Sequence, residues 1–159
     1  MYQLRGKLSI VMPAYNEEAL IYNSIMQTLS IVEQFAPDME IIAVNDGSKD
    51  KTKQEIERAI RDDAKQPHPV VPGMRVSGTR IKLVTSNKNR GKGNAIISGI
   101  SQAEGDYIAF VDADLELNPA QLEGYLKKMQ ESGSDVVIGC KFLKDSELHN
   151  IASAFLHFL

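Results

Sequence analysis

A chain of 159 residues with 43% hydrophobic and 25% charged residues can bury one core of ordinary size, and its composition is neither disordered nor fibrous. Its 18 Lys+Arg against 21 Asp+Glu give a formal charge of -3, so a whole-domain grip on nucleic acid, which shows as a basic excess, is not expected. The single cysteine, Cys140, excludes an internal disulfide framework and a Cys-rich zinc site, and His68, His149 and His157 lack compact metal-ligand spacing.

No apolar run reaches the roughly 18–20 residues needed to span a bilayer. The N-terminus has no signal-peptide h-region and enters a strand-like run at once, so the expectation is an intracellular protein in a reducing compartment. Lys7–Met12 is the first strand candidate, ended by Pro13. A helix is expected over Glu17–Gln34, where Leu20, Ile21, Ile25, Met26, Leu29 and Val32 recur at helical spacing. Met39–Val44 is a second strand, apolar after Glu40 as in a buried parallel strand. Asp46-Gly47-Ser48 is a turn, and Asp50–Ala64 a charged helix with Ile56, Ala59 and Ile60 as its buried stripe. Residues 65–79, with three prolines and two glycines, fit no period and are expected to be a surface loop. Ile81–Val84 is a strand, Gly93–Ala103 a helix and Tyr107–Val111 a strand. Asn118 and Pro119 read as N-cap and first-turn proline of a helix to about Glu131, and Asp135–Gly139 as a last strand.

Strands separated by helices require crossovers, hence an α/β fold with a mainly parallel, Rossmann-like sheet covered on both faces. In such sheets ligands bind outside the carboxyl ends of the strands, near the switch in strand order. Those ends carry Pro13-Ala14-Tyr15-Asn16-Glu17, Asn45-Asp46-Gly47-Ser48, the run from Ser86 to Gly93, and Asp112-Ala113-Asp114-Leu115-Glu116.

Asp112, Asp114 and Glu116 are spaced by two, which in an extended segment puts them on one side of the chain. Close carboxylates repel by several kcal/mol per pair at an effective dielectric of roughly 20. A hard divalent cation between them, Mg2+ or Mn2+, relieves that repulsion and is commonly shared with substrate phosphates. The plain alternative is one capping aspartate and two solvated carboxylates. Asp46 is either an Asx-turn residue or an acceptor for a ribose hydroxyl or base N–H. Glu17 is either a first-turn dipole partner or a nucleoside contact.

The segment NKNRGKGNA is not a P-loop, because Gly91-Lys92 precedes Gly93 rather than Ser or Thr. Nor is it a dinucleotide fingerprint, since Ile96 stands where a third small residue belongs. It is either a solvated basic loop or an anion cradle at a helix N-terminus, with Lys88, Arg90 and Lys92 adding charge. A receiver-type signalling domain would carry an acidic pair after the first strand and an acceptor Asp after the third. Pro13-Ala14-Tyr15 and Thr85-Ser86 stand there instead.

SIVMPAYNEE, VNDGSKD, NRGKGNAIISGI and GDYIAFVDADLELNP, in this order, resemble family 2 glycosyltransferases of the GT-A fold. The chain is most similar to the branch that charges polyprenyl phosphates with a hexose: dolichyl-phosphate glucosyltransferases first, dolichyl-phosphate mannose synthases next. The resemblance covers about residues 7–145. It implies a nucleotide-sugar donor, UDP-glucose before GDP-mannose, held by Pro13, Ala14, Tyr15, Glu17, Asp46, Lys92 and Asp112. It implies a diphosphate-bridging Mg2+ or Mn2+ on the catalytic pair Asp112 and Asp114, with Glu116 beside them. Lys141, in Cys140-Lys141, takes the place of a Ser-Arg pair that handles phosphate in the family, and lacks the bidentate fork of arginine.

Family members usually continue well past this length. The implied layout is therefore a donor-binding GT-A domain over residues 1–145, truncated on its acceptor side, then an amphipathic segment over residues 146–159. That segment, with Ile151, Phe155, Leu156, Phe158 and Leu159, is a helix docked on the core, an edge exposed by truncation, or an interfacial helix near a lipid acceptor. The expected partners are the nucleotide sugar, a polyprenyl phosphate, a membrane surface and a partner chain or second copy, with no nucleic acid. The expected location is cytoplasmic, peripheral on the cytoplasmic face of a membrane.

Overall fold

The computed structural model describes residues 2–68 and 79–139. It divides into two compact units, Met1–Pro119 and Ala120–Leu159. The first contains β1 (Leu8–Ala14), α1 (Ile21–Val32), β2 (Met39–Asp46), α2 (Thr52–Asp63), β3 (Ile81–Ser86), α3 (Lys92–Ile100) and β4 (Tyr107–Phe110). The second contains α4 (Gln121–Ser132), closed by Gly133 in the left-handed conformation, φ 63°, that suits glycine at a helix end.

The strands form one sheet in the order β3-β2-β1-β4, and each neighbouring pair is parallel. From β1 to β2 to β3 the chain steps one way across the sheet; α3 then carries it back past both to β4. Right-handed crossovers put helices of opposite steps on opposite faces. Accordingly α1 packs on α2, while α3 packs on β1 and β2. The α3 face closes on Val11, Ile42, Val44 and Ala95. Gly99 sits so close to this layer that a Cβ there would lie 2.4 Å from Val11 Cγ1. β2 is buried at all eight positions, as a central parallel strand is. On α1, Ile21, Ile25, Leu29 and Val32 form the buried stripe. Each such aliphatic side chain contributes roughly 1.5–3 kcal/mol by leaving water.

The amino ends of the strands are held by polar bonds inside the sheet edge. Ser9 Oγ donates to Glu40 Oε1 at 2.7 Å, the Glu104 amide donates to the same oxygen at 2.9 Å, and the Gly105 amide donates to Ser9 Oγ at 2.8 Å. Lys82 Nζ lies 2.8 Å from Glu40 and 2.6 Å from Glu104, and Lys7 Nζ 3.3 Å and 3.1 Å from the same pair. Burial raises the Glu40 carboxyl, but its bonds from Lys82, Ser9 and the Glu104 amide outweigh that and hold it below its ordinary value. The bonds from Lys82 and Lys7 hold Glu104 at about 2. A second lock joins Asp63, fully buried at the end of α2, to Arg80 before β3 at 2.8 Å, with Arg80 also 2.9 Å from Glu33.

Several expected boundaries move. α1 begins at Ile21, because Glu17–Leu20 form a turn that closes on the Glu17 carbonyl. α4 begins at Gln121, after a Pro119-Ala120 turn. Asp135–Gly139 is not a strand: the run has no ladder partner among the described residues, and Val136 and Ile138 are exposed. An apolar run alone does not make a strand; paired backbone does. Of the expected loop over 65–79, residues 69–78 lie outside the described residues.

Candidate functional site

The reversal in strand order falls between β1 and β4, and there the carboxyl ends of the strands open a cleft of about 470 Å³. β1 and its loop supply Pro13, Ala14, Tyr15 and Glu17 to its wall. β2 supplies Asp46; the loop into α3 and its first turns supply Asn89, Gly91, Lys92 and Ala95. The segment after β4 supplies Asp112, Ala113, Asp114 and Glu116. The residues expected at a donor site therefore line one cleft in the first unit, except Lys141, which lies outside the described residues. Asn89, Gly91 and Ala95 join them as walls.

Three loops are sewn together around this cleft. Asn16 Oδ1 accepts from the Lys49 amide at 2.9 Å, while Ser48 Oγ accepts from the Asn16 amide at 3.0 Å. Thr52 Oγ1 accepts from the Glu17 amide at 2.7 Å, and Asp50 accepts from the Thr52 amide at 3.0 Å and the Glu18 amide at 3.1 Å. The Glu18 carboxylate in turn accepts from the Lys51 amide at 2.8 Å. These bonds satisfy loop amides that would otherwise meet only water, and they fix where Glu17 leaves the backbone. Asp50, Thr52 and Ser48 were not singled out from the sequence. The Asp-x-Thr spacing over 50–52 is the signal of a side-chain-to-backbone motif that could have found two of them.

Asp46 is almost fully buried and accepts from the Arg90 amide at 3.0 Å and the Gly91 amide at 2.8 Å. Gly47, at φ 71°, is pressed against the same loop: a Cβ there would lie 2.3 Å from the Lys88 carbonyl carbon. So the NDGS turn organises the NRGKG loop, a role beyond the Asx-turn and nucleoside readings of Asp46. Gly91, at φ 91° and ψ 158°, then opens α3, a conformation only glycine adopts readily.

The acidic segment is not extended past β4. The Leu115 amide turns back to the Asp112 carbonyl at 3.1 Å, Leu115 takes φ 52°, and the Glu116 amide donates to Asp114 Oδ1 at 3.0 Å. The same-side argument from spacing by two therefore fails, because a turn replaces the pleat. Among the described residues no group of three or more His, Cys, Asp or Glu side chains gathers as a metal cage. The donor set still suits a hard cation: Asp112 and Asp114 offer carboxylate oxygens at the cleft, and Mg2+ or Mn2+ is characteristically held by one or two carboxylates with substrate phosphates completing the shell. Lys92 Nζ lies 2.6 Å from Asp112 Oδ1 and meets part of this negative charge. Partial burial, then the charges of Asp114 and Asp50, raise the Glu17 carboxyl above its ordinary value.

Comparison with known proteins matches residues 9–156 to glycosyl transferase family 2. The undecaprenyl-phosphate 4-deoxy-4-formamido-L-arabinose transferase of Enterobacter sp. (strain 638) is 35% identical over 131 residues, covering 82% of this chain and 36% of that protein. The like-named transferase of Photorhabdus laumondii subsp. laumondii is 36% identical, with the same coverage of 82% and 36%. The chain thus spans about a third of the length of these relatives. Among solved structures, mannosyltransferase PcManGT from Pyrobaculum calidifontis, in complex with GDP-Man and Mn2+, matches with a TM-score of 0.63 at 22% identity, over 86% of this chain and 34% of that one. S. aureus TarS 1-349 in complex with UDP matches with a TM-score of 0.55 at 23% identity, over 89% of this chain and 38% of that one. At these identities the two structures speak for the fold.

Proposed function

The chain belongs to glycosyl transferase family 2, with the α/β sheet of a GT-A fold, and from that premise we propose that it moves a hexose from a nucleotide sugar to a polyprenyl phosphate. The observation that carries the proposal is the cleft at the strand reversal, where Glu17, Asp46, Lys92, Asp112 and Asp114 meet. The undecaprenyl-phosphate transferases among its relatives support the acceptor class. UDP-glucose is the favoured donor and GDP-mannose the alternative, with residues 1–145 as the donor-binding domain.

In this reading Pro13, Ala14 and Tyr15 wall the nucleoside, and Asp46, whose carboxylate already accepts backbone amides, presents its remaining lone pairs to a base N–H. Asp112 and Asp114 would hold the Mg2+ or Mn2+, which would supply positive charge to neutralise the diphosphate as it leaves. Lys92, the first residue of α3, adds its ammonium to the positive end of the helix beside the same charge. Lys141, after the second unit's described part, is assigned to donor phosphate. The acceptor phosphate is already an anion at pH 7, so no side chain has to act as a strong general base. Its oxygen attacks sugar C1 as the C1–O bond to the diphosphate breaks. A single in-line displacement inverts the anomeric centre. No helix among the described residues is long and apolar enough to cross a membrane. The proposed lipid-linked acceptor, for its part, argues for action at the cytoplasmic face of a membrane, with residues 146–159 as the segment assigned to the lipid surface.

Alanine at Asp112 or Asp114 is expected to abolish metal-dependent donor uptake in calorimetry and to cut turnover by about 100-fold or more, the usual cost of losing a transition-state charge stabiliser. Uptake and turnover that survive either change would sink the assignment. A second reading, a donor-binding module that needs further polypeptide for its acceptor, draws on one observation: the matched region is about a third of each relative. It predicts donor uptake without release of nucleoside diphosphate when polyprenyl phosphate is added.

A further inference from the structure

We propose that Ser24, on α1, is the positioning residue of the Asp112–Asp114 turn: its hydroxyl anchors the turn's backbone to the body of the fold. β4 makes its last ladder bond through the Val111 amide, 3.0 Å from the Val11 carbonyl. Beyond it the chain leaves the sheet. The bonds from the Leu115 amide to Asp112 and from the Glu116 amide to Asp114 shape the turn without tying it to another element.

Ser24 supplies such a tie. It is buried, one turn into α1, and its hydroxyl lies within hydrogen-bond distance of the Ala113 carbonyl and, farther away at 3.1 Å, of the Leu20 carbonyl. A hydroxyl has one proton, and the nearer Ala113 carbonyl receives it. Ala113 is itself 4% exposed and stands between the two aspartates, so one bond fixes the backbone from which both carboxylates project. α1 also follows directly from the loop that carries Glu17. Ser24 therefore joins the wall assigned to the nucleoside to the wall assigned to the metal. Metal coordination tolerates displacements of only about 0.2 Å, and a loosened backbone would miss that tolerance.

The inference rests on the glycosyltransferase reading for what the turn binds, though not for the anchor itself, and two measurements keep them apart. In metal-free protein, Ser24→Ala is expected to speed hydrogen exchange at the Leu115 and Glu116 amides about tenfold, leaving β2 amides unchanged. Thr28→Ala, which truncates a fully buried side chain one turn along the same helix, should lower the melting temperature without moving those two amides. With Mn2+ and UDP-glucose, Ser24→Ala should raise the Mn2+ concentration for half-maximal donor uptake about tenfold or more, as removal of a supporting bond behind metal ligands does. Ser24→Cys, a weaker donor of similar volume, should fall between. Unchanged exchange in Ser24→Ala, or equal acceleration by Thr28→Ala, overturns the anchor whatever the protein binds. Accelerated exchange with no Mn2+-dependent uptake by the unaltered chain overturns the transfer reading and Ser24's role toward the metal together.

Discussion

Lys92 illustrates how much a single side chain decides at this cleft. Its ion pair with Asp112 joins groups that are 58% and 41% exposed, and pairs so open to water are worth roughly 0.2–1 kcal/mol. A divalent cation at the proposed Asp112–Asp114 site would have to displace that ammonium, while a bound diphosphate would attract it. Lys92→Met is therefore expected to tighten Mn2+ binding to the donor-free protein by up to about fivefold and to weaken UDP-sugar binding at saturating Mn2+. Manganese electron paramagnetic resonance titration with and without the nucleotide reads both arms; parallel changes would show that Lys92 does not compete with the ion. At this scale the aspartates after YIAFV were legible because charge directly after an apolar run needs a reason, although β4 itself is not buried: Ile108 and Phe110 are exposed. Ser24 was not, because its bond reaches a backbone group 89 residues away; Asp50 and Thr52 carry a local Asp-x-Thr signal, but not their bonds to the Glu18 and Glu17 amides, 32 and 35 residues away. The spacing of Glu116 misled, because Leu115 turns where the pattern assumed a pleat.

The lysine–glutamate knot at the amino ends of β1, β2 and β3 sets how these elements respond to pH. Glu40 and Glu104 both have folded-state values below the ordinary 4.5, Glu104 at about 2. Their contribution is thus complete above about 4.5 and is lost as pH falls toward 2. Lys82 is shifted the other way: burial lowers it, but its bonds to Glu104 and Glu40 outweigh that and raise it above 10.5, so its share is lost only in strong base. Thermal melts between pH 5 and pH 2 should show a steep loss for the unaltered chain and a shallower one for Glu104→Gln; identical slopes would remove the knot from the account. β1, β2 and α2 were readable from apolar runs and helical spacing, since their apolar residues are the buried ones. The start of α1 and the supposed strand at Asp135–Gly139 were not, since turn closure and ladder pairing depend on partners that periodicity does not report.

For the whole molecule, alternation of short apolar runs with amphipathic stretches was enough to predict a parallel α/β sheet, and the four motifs in order were enough to predict the family. The order β3-β2-β1-β4 was beyond periodicity, yet it is what brings the first and fourth strand ends side by side. The proposed lipid-surface role of residues 146–159 has its own check. The intact chain should float with anionic liposomes, and one ending at residue 147 should not; equal flotation would remove the membrane from the proposal.

The sheet keeps its knot of paired charges and its Asp63–Arg80 lock away from the cleft, whose wall is made of loops cross-linked mainly through backbone amides. Amide bonds do not depend on which side chain the donating residue carries. Exchanges at a cleft position such as Tyr15, a partly exposed side chain outside these bonds, can therefore reshape the proposed nucleoside wall at little thermodynamic penalty, so this scaffold lends itself to diversification by drift in its rim.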